Sequence, residues 1–362
     1  MFDLWDHCAS GWVSGKGRGA VWEDIDFPKQ LKPEYLMSSA DYLETITDRR
    51  SAKVAFKDIS TAIHKRTMMS AVVPDLPSVN ASPVLTCSSA IYSELLQSAL
   101  GSLVFDYVAK FKIGYLHLNY FIIKECPLVD LERMKVVADG VADASLRLSC
   151  SAEIFAPLWM ERQADRGGLS WRQCWAVTKH ERLRLRAIID ASLAYVYGLS
   201  LDDYRWLLAD TDHPAAFLAV KANAKRLDPK RFWRVDKALD PELRQTVLAQ
   251  IAFANLMEIG PTEFFGQNAG QGWLLPEALR LADHGLGRDQ RAEEAQPVAR
   301  RLGPRFEAWQ LEEDSQESWA ECRAHAEIIS RIVPKVVAAT APDTSNSQAK
   351  DIGVSEKQGG LF

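Results

Sequence analysis

Two short groups of side chains carry most of the recognition chemistry in this sequence. The first is Lys57, His64, Lys65, Arg66 and Thr67, with Lys53 a few residues ahead; the second is Lys112, Gly114, His117 and Asn119. Arg and Lys clamp phosphates or read guanine, and Asn and His hydrogen-bond to base edges. On residue types alone, the first group reads first as a solvated basic loop and second as a contact site. The second reads equally as a structured turn with a satisfied His and Asn. Chemistry of other kinds is missing. There is no GxxxxGK[ST], HExxH or GxSxG, and His180-Glu181 is followed by Arg182 without a second His. Gly15-Lys16-Gly17-Arg18-Gly19 has no strand and helix to frame a phosphate, and it reads as a flexible loop, as does 266–272. Six cysteines without a CxxC argue against a zinc site or a disulfide framework.

The elements that must position these groups follow from apolar spacing. Residues 53–58 alternate like a strand, and 68–73 form a second apolar run that stops at Pro74. Residues 88–109 have helical length and spacing, and 116–123 read as a strand ending near Pro127. Residues 128–150 suggest one helix or two short ones, and 153–210 read as helical. The clearest helix is 179–197, with Lys179, Arg182 and Arg186 on one face and Arg184 on another. It is apolar nearly all round from residue 187, where Asp190 is placed to pair with Arg186. Gly198 ends this helix and Ser200 caps the next, 201–209. Residues 1–50 look irregular, as if the chain were entered mid-domain. Residues 213–237 are basic, 241–257 an amphipathic helix, and 258–304 loop-rich. A last helix is expected over 317–337, with Trp319, Cys322, Ile328, Ile329 and Ile332 on its apolar side, and 340–362 reads as disordered.

With 362 residues, 47% hydrophobic and 25% charged, the chain has the composition of a soluble globular protein of two or three domains. The net charge of −5 excludes a uniformly basic coat. Charge is uneven, however: residues 1–237 hold 31 Lys and Arg against 29 Asp and Glu, whereas 238–362 hold 12 against 19. Residues 48–66 alone carry six basic and two acidic side chains. Local phosphate neutralisation is what nucleic-acid affinity needs. The eleven tryptophans read first as core and interface anchors, and second as surfaces on which bases stack. No signal peptide or membrane-spanning run is present, so a cytoplasmic location and no membrane partner are expected.

Several segments in order resemble the C-terminal region of large, type IIG-like adenine-specific DNA methyltransferases of restriction and phage-defence systems, including those of DISARM and BREX. They are AFKDISTAIHKRTMMSAVVP (55–74), SLVFDYVAKFKIGYLHLNYFIIKECP (102–127), ERLRLRAIIDASLAYVYGLSLDDYRWLL (181–208), FWRVDKALDPELRQTVLAQIAF (232–253), and parts of 271–310. The resemblance implies an α+β fold: a partial, mixed target-recognition domain with a small sheet (1–130), then a mainly helical region. That region comprises a helical scaffold (131–240), a loop-rich and helical part (241–338) and a tail (339–362). It also implies duplex DNA contact through Lys53, Lys57, His64, Lys65, Arg66, Thr67, Lys112, Gly114, His117 and Asn119. Where the family has Asn or Asp and then Glu before Arg-Thr, this chain has His64-Lys65. The donor-binding Gly motif and the Asn-Pro-Pro-aromatic loop of the family are absent from this sequence. Catalysis and S-adenosylmethionine are therefore expected in a separate methyltransferase chain, with no cofactor and no metal held here. The alternatives are a non-catalytic protein-interaction subunit of a defence complex, or a truncated gene remnant.

Overall fold

Residues 10–24 alternate Trp and small polar residues around Gly15 and Gly17, both at positive φ, and they close into a hairpin rather than an irregular stretch. Strand β1 (Ser10–Ser14) pairs antiparallel with β2 (Val21–Asp24), setting Trp12 opposite Trp22, with a register slip between Trp12 and Ser14. The computed structural model describes residues 1–45, 52–162 and 168–332, and its fold is α+β. The expected tail lies outside the described residues.

Every residue of β3 (Ala52–Phe56) is buried, because it is the middle strand of an antiparallel sheet flanked by β4 (Ser70–Pro74) and β5 (Val84–Leu85). The register runs from Ala52↔Pro74 to Phe56↔Ser70, and Val54 faces Leu85. Period-two alternation separates the faces. Val54 and Phe56 pack with Leu100, Phe105 and Ala109, while Ala55 and Ala71 pack against Phe2.

The helices covering that sheet are α1 (Ala90–Gly101) and α2 (Leu103–Lys112). The single helix expected over 88–109 is thus two, and the cause is local. Ser102 is extended and caps α2, its Oγ accepting from Phe105 N at 3.1 Å and donating to Ala99 O at 2.8 Å. Gly101 lies against Trp5, where a Cβ would stand 2.4 Å from the indole. The strand expected at 116–123 is also absent. Residues 113–119 form a loop with one bridge, Ile59↔His117, and α3 (Tyr120–Lys124) follows. Ile122 and Ile123 are buried on one side of this short helix while Phe121 faces solvent, so the apolar run is split by a helical period.

Residues 128–150, expected as one helix or two short ones, form two: Leu131–Met134 and α4 (Ala138–Ser149). Next comes α5 (Lys179–Val196), capped by Thr178, whose Oγ1 accepts from Glu181 N at 3.2 Å. Gly198 adopts φ 77° and releases the chain into α6 (Leu201–Leu207), which Ser200 and Asp203 start with a reciprocal capping box. Asp190 does not pair with Arg186. Its carboxylate accepts from Leu103 N at 2.8 Å and Gln245 Nε2 at 2.5 Å, tying the starts of α2 and α7 to α5. Helix α7 (Gln245–Gly270) is buried all round at its start rather than amphipathic, and it continues across a kink at Gly260-Pro261 into the stretch expected to be loop. Strands β6 (Ala278–Leu279) and β7 (Gln296–Pro297) make a small hairpin before α8 (Ser315–Ile332). On α8, Cys322 and Ala326 are buried and Ile329 packs beside them, but Ile328 is exposed. The largest apolar cluster draws side chains from Trp5, α1, α4, α5, α6 and α7. Among the described residues no helix is long and apolar enough to cross a membrane.

Candidate nucleic-acid interface

The loop 57–69 joins β3 to β4 across the ends of the sheet, and one carboxylate fastens it. Asp106, fully buried on α2, accepts from Thr67 N at 2.8 Å and Met68 N at 2.5 Å. The same carboxylate pairs with Arg66 Nε at 3.3 Å and with Lys110 Nζ, one helical turn on, at 3.8 Å. Arg66 Nη2 donates to Gly101 O at 2.5 Å, and Lys110 Nζ donates to His64 O at 2.6 Å. Thr67 Oγ1 donates to Thr61 O at 2.8 Å, closing the loop on itself. Burial lowers the Lys110 ammonium to about 8 against the pull of Asp106.

This arrangement corrects part of the expected contact set. Arg66, at 3% exposure, and Thr67 are inside the protein, where they hold the loop rather than face a ligand. Lys53 is also buried: its ammonium pairs with Asp75 at 2.7 Å and meets the Tyr42 hydroxyl. A central strand with both faces covered leaves its Lys only an internal partner. Lys57 is half-buried, near Asp3 at 3.5 Å. His64 and Lys65 are exposed.

The second group lies alongside the first. Ser60 N donates to Leu116 O at 2.9 Å and Leu118 N to Asp58 O at 2.7 Å, so the two loops are laced through their backbones. Leu118 is the buried anchor. His117 Nδ1 sits 2.6 Å from Asp58 Oδ2, which orients the ring and leaves Nε2 as its outward edge; the side chain is 58% exposed. Lys112 makes an exposed pair with Glu125 at 3.4 Å, worth about 0–1 kcal/mol and readily exchanged for another anion. Asn119 occupies the cap position of α3 without a side-chain cap bond. Gly114 is exposed, with nothing within 4 Å of a built Cβ, so it is not there to permit a close internal approach.

The structure therefore brings His64, Lys65, Gly114, His117 and Asn119 onto two adjacent loops, with Lys112 at the end of α2 beside them, and withdraws Lys53, Arg66 and Thr67. The same loops expose Ile59, Ile63 and Leu116, with Phe121 exposed on α3 beside them, and Tyr115 is 90% exposed.

A further set of residues was not singled out from sequence. At the end of α2, Phe111 carries Lys230 at 4.7 Å from its ring centroid. Nearby, Arg231 stacks 4.4 Å from Trp206 and 5.6 Å from Tyr107. The sequence signal was the basic run 221–237, with its RFWR core. The partners that make it a surface come from α2 and α6, both distant in sequence from Lys230 and Arg231.

No protein-family model, no curated protein and no solved structure matches this chain.

Proposed function

We propose that this protein is the DNA-contacting, target-recognition part of an adenine-specific DNA methylation system of the restriction or phage-defence kind. In this reading it acts in the cytoplasm, and a separate chain supplies S-adenosylmethionine binding and methyl transfer. One observation carries the proposal: the lacing of loops 57–69 and 113–119, which presents exposed Lys65, Lys112, His64, His117 and Asn119 on rigid backbone. Lys65 and Lys112 would take phosphates, and the Asp58-oriented His117 and the uncommitted Asn119 amide would take base edges.

Fluorescence anisotropy with a labelled duplex tests this. Affinity is expected to fall steeply between about 50 and 200 mM salt. Lys65→Ala with Lys112→Ala should weaken binding to all sequences and reduce the salt slope by about 2. His117→Ala with Asn119→Ala should instead relax sequence preference. Absence of duplex binding at low salt would remove the proposal.

The exposed apolar side chains on the same loops, Tyr115 above all, favour a second reading: a docking surface for a partner protein in a defence complex. Binding of such a partner that is insensitive to salt, together with no affinity for duplex, would support it.

A further inference from the structure

A row of aromatic rings and cations runs beside the two loops and uses side chains other than those assigned to duplex contact. Tyr107 and Phe111 lie one turn apart on α2 with ring centroids 5.0 Å apart, and Tyr107 meets Trp206 of α6 edge-on at 5.9 Å. Arg231 is fixed over Trp206 because its Nη1 donates to Trp206 O at 2.7 Å and Leu207 O at 3.3 Å. Lys230 stands over Phe111. Rings that serve only to pack lose most of their surface to the core. Trp206 is 59% exposed and Phe111 53% exposed, although both are held in place. The segment that supplies the cations, 221–237, has seven Lys and Arg against two Asp, and Lys221, Lys225, Arg226 and Lys237 are exposed on it.

We infer that this row binds unpaired nucleotides, with bases stacking on Trp206 and Phe111 and phosphates met by Lys230 and its basic neighbours. Every base has a π face, so stacking of this kind is tolerant of sequence, and a cationic track beside the rings follows the backbone. Each cation covers one face of its ring and adds to the attraction for a nearby phosphate, so a base would stack on the ring area that stays exposed. The inference goes beyond duplex contact and does not need it. An unpaired strand of DNA or of RNA offers the same chemistry.

Anisotropy with labelled oligo-dT and oligo-U of about twelve nucleotides, and with a blunt duplex, tests it. The protein should bind at least one of the two single strands, and the stronger of them names the source. Trp206→Ala should weaken that binding about tenfold, which is one stacked base's worth, and leave duplex affinity unchanged. Phe111→Ala should weaken single-strand binding similarly, and it carries the test if the Trp206 variant fails to fold by circular dichroism. Wild-type affinity in both variants, or no binding of either single strand at low salt, overturns the inference. Loss of duplex binding with retained, Trp206-dependent single-strand binding would instead remove the proposed function and leave this site standing.

Discussion

Asp106 shows how one side chain decides what its neighbours do. His64, Lys65 and Arg66 are consecutive basic residues, and sequence offers no ground for telling them apart. Asp106, forty positions later, takes Arg66 and the Thr67 and Met68 amides into the interior, while His64 and Lys65 stay outside. Replacing it with Asn keeps the shape but leaves Lys110 buried without its paired carboxylate and Arg66 with only the field of buried Asp190. Removing one partner of a buried pair costs about 3–5 kcal/mol. Asp106→Asn should therefore lower the unfolding free energy by an amount of that order, read as a lower urea midpoint at unchanged slope, and it should increase protease cleavage near residues 60–67. A midpoint within error of wild type would mean the network does not fasten the loop. The same residue explains a limit of the sequence reading: that a cationic group was present could be seen, but which members face outward depends on a partner distant in sequence.

At the scale of elements, the break between α1 and α2 sets the position of Asp106 and of the loop it holds. Two effects oppose each other at Gly101. Alanine in a helix gains up to about 1 kcal/mol over glycine, but the new Cβ would lie 2.4 Å from the Trp5 ring. Overpacking a filled site costs about 1–3 kcal/mol, and a rigid indole buried to 1% exposure has little room to yield. Gly101→Ala should thus destabilise, with a change in Trp5 environment visible by near-ultraviolet circular dichroism. A stabilised variant would show that the contact relaxes freely. The elements legible in sequence were those with a single periodic signal: β3, α5 with its glycine stop, and α6 with its Ser200 cap; β4 was visible only as an apolar run. Residues 102–127 misled because Leu116, Phe121 and Tyr115 look like core yet face solvent, whereas Leu118, Ile122 and Ile123 are the buried ones. Apolar content alone does not distinguish a strand buried on both faces from an exposed contact loop. Likewise, the helix expected over 241–257 was followed by an expected loop, but helical turns resume beyond the kink at Gly260-Pro261.

For the whole molecule, cohesion converges on Glu181. Its carboxylate receives Arg184 through Nη2 at 2.6 Å and Nε at 2.9 Å, Arg147 at 2.9 Å and Arg305 at 2.9 Å. Those arginines in turn hold Cys174 O, Gln271 O and Trp273 O, so segments far apart in sequence share one anion. Burial alone would raise the Glu181 pKa, but Arg184 and Arg147 drive it well below the ordinary value of 4.5. His7 behaves independently: burial lowers its imidazole from 6.5 to about 4 against the pull of Asp6. Both folded-state values lie below the unfolded ones, so the unfolded chain binds more protons as pH falls and stability is lost toward acid. The His7 contribution is complete above about 6.5 and is lost between there and about 4, whereas the Glu181 contribution is lost only below about 4.5. Urea unfolding followed from pH 8 to 3 should therefore show two successive acid limbs. Glu181→Gln should lower stability at neutral pH by about 3–5 kcal/mol and flatten the lower limb while keeping the upper one. His7→Gln should reduce the upper limb, to which His284, also lowered by burial, contributes the remainder, and leave the lower limb unchanged. A Glu181→Gln protein that kept the full acid limb below pH 4.5 would show that the three arginines are held by something other than this carboxylate.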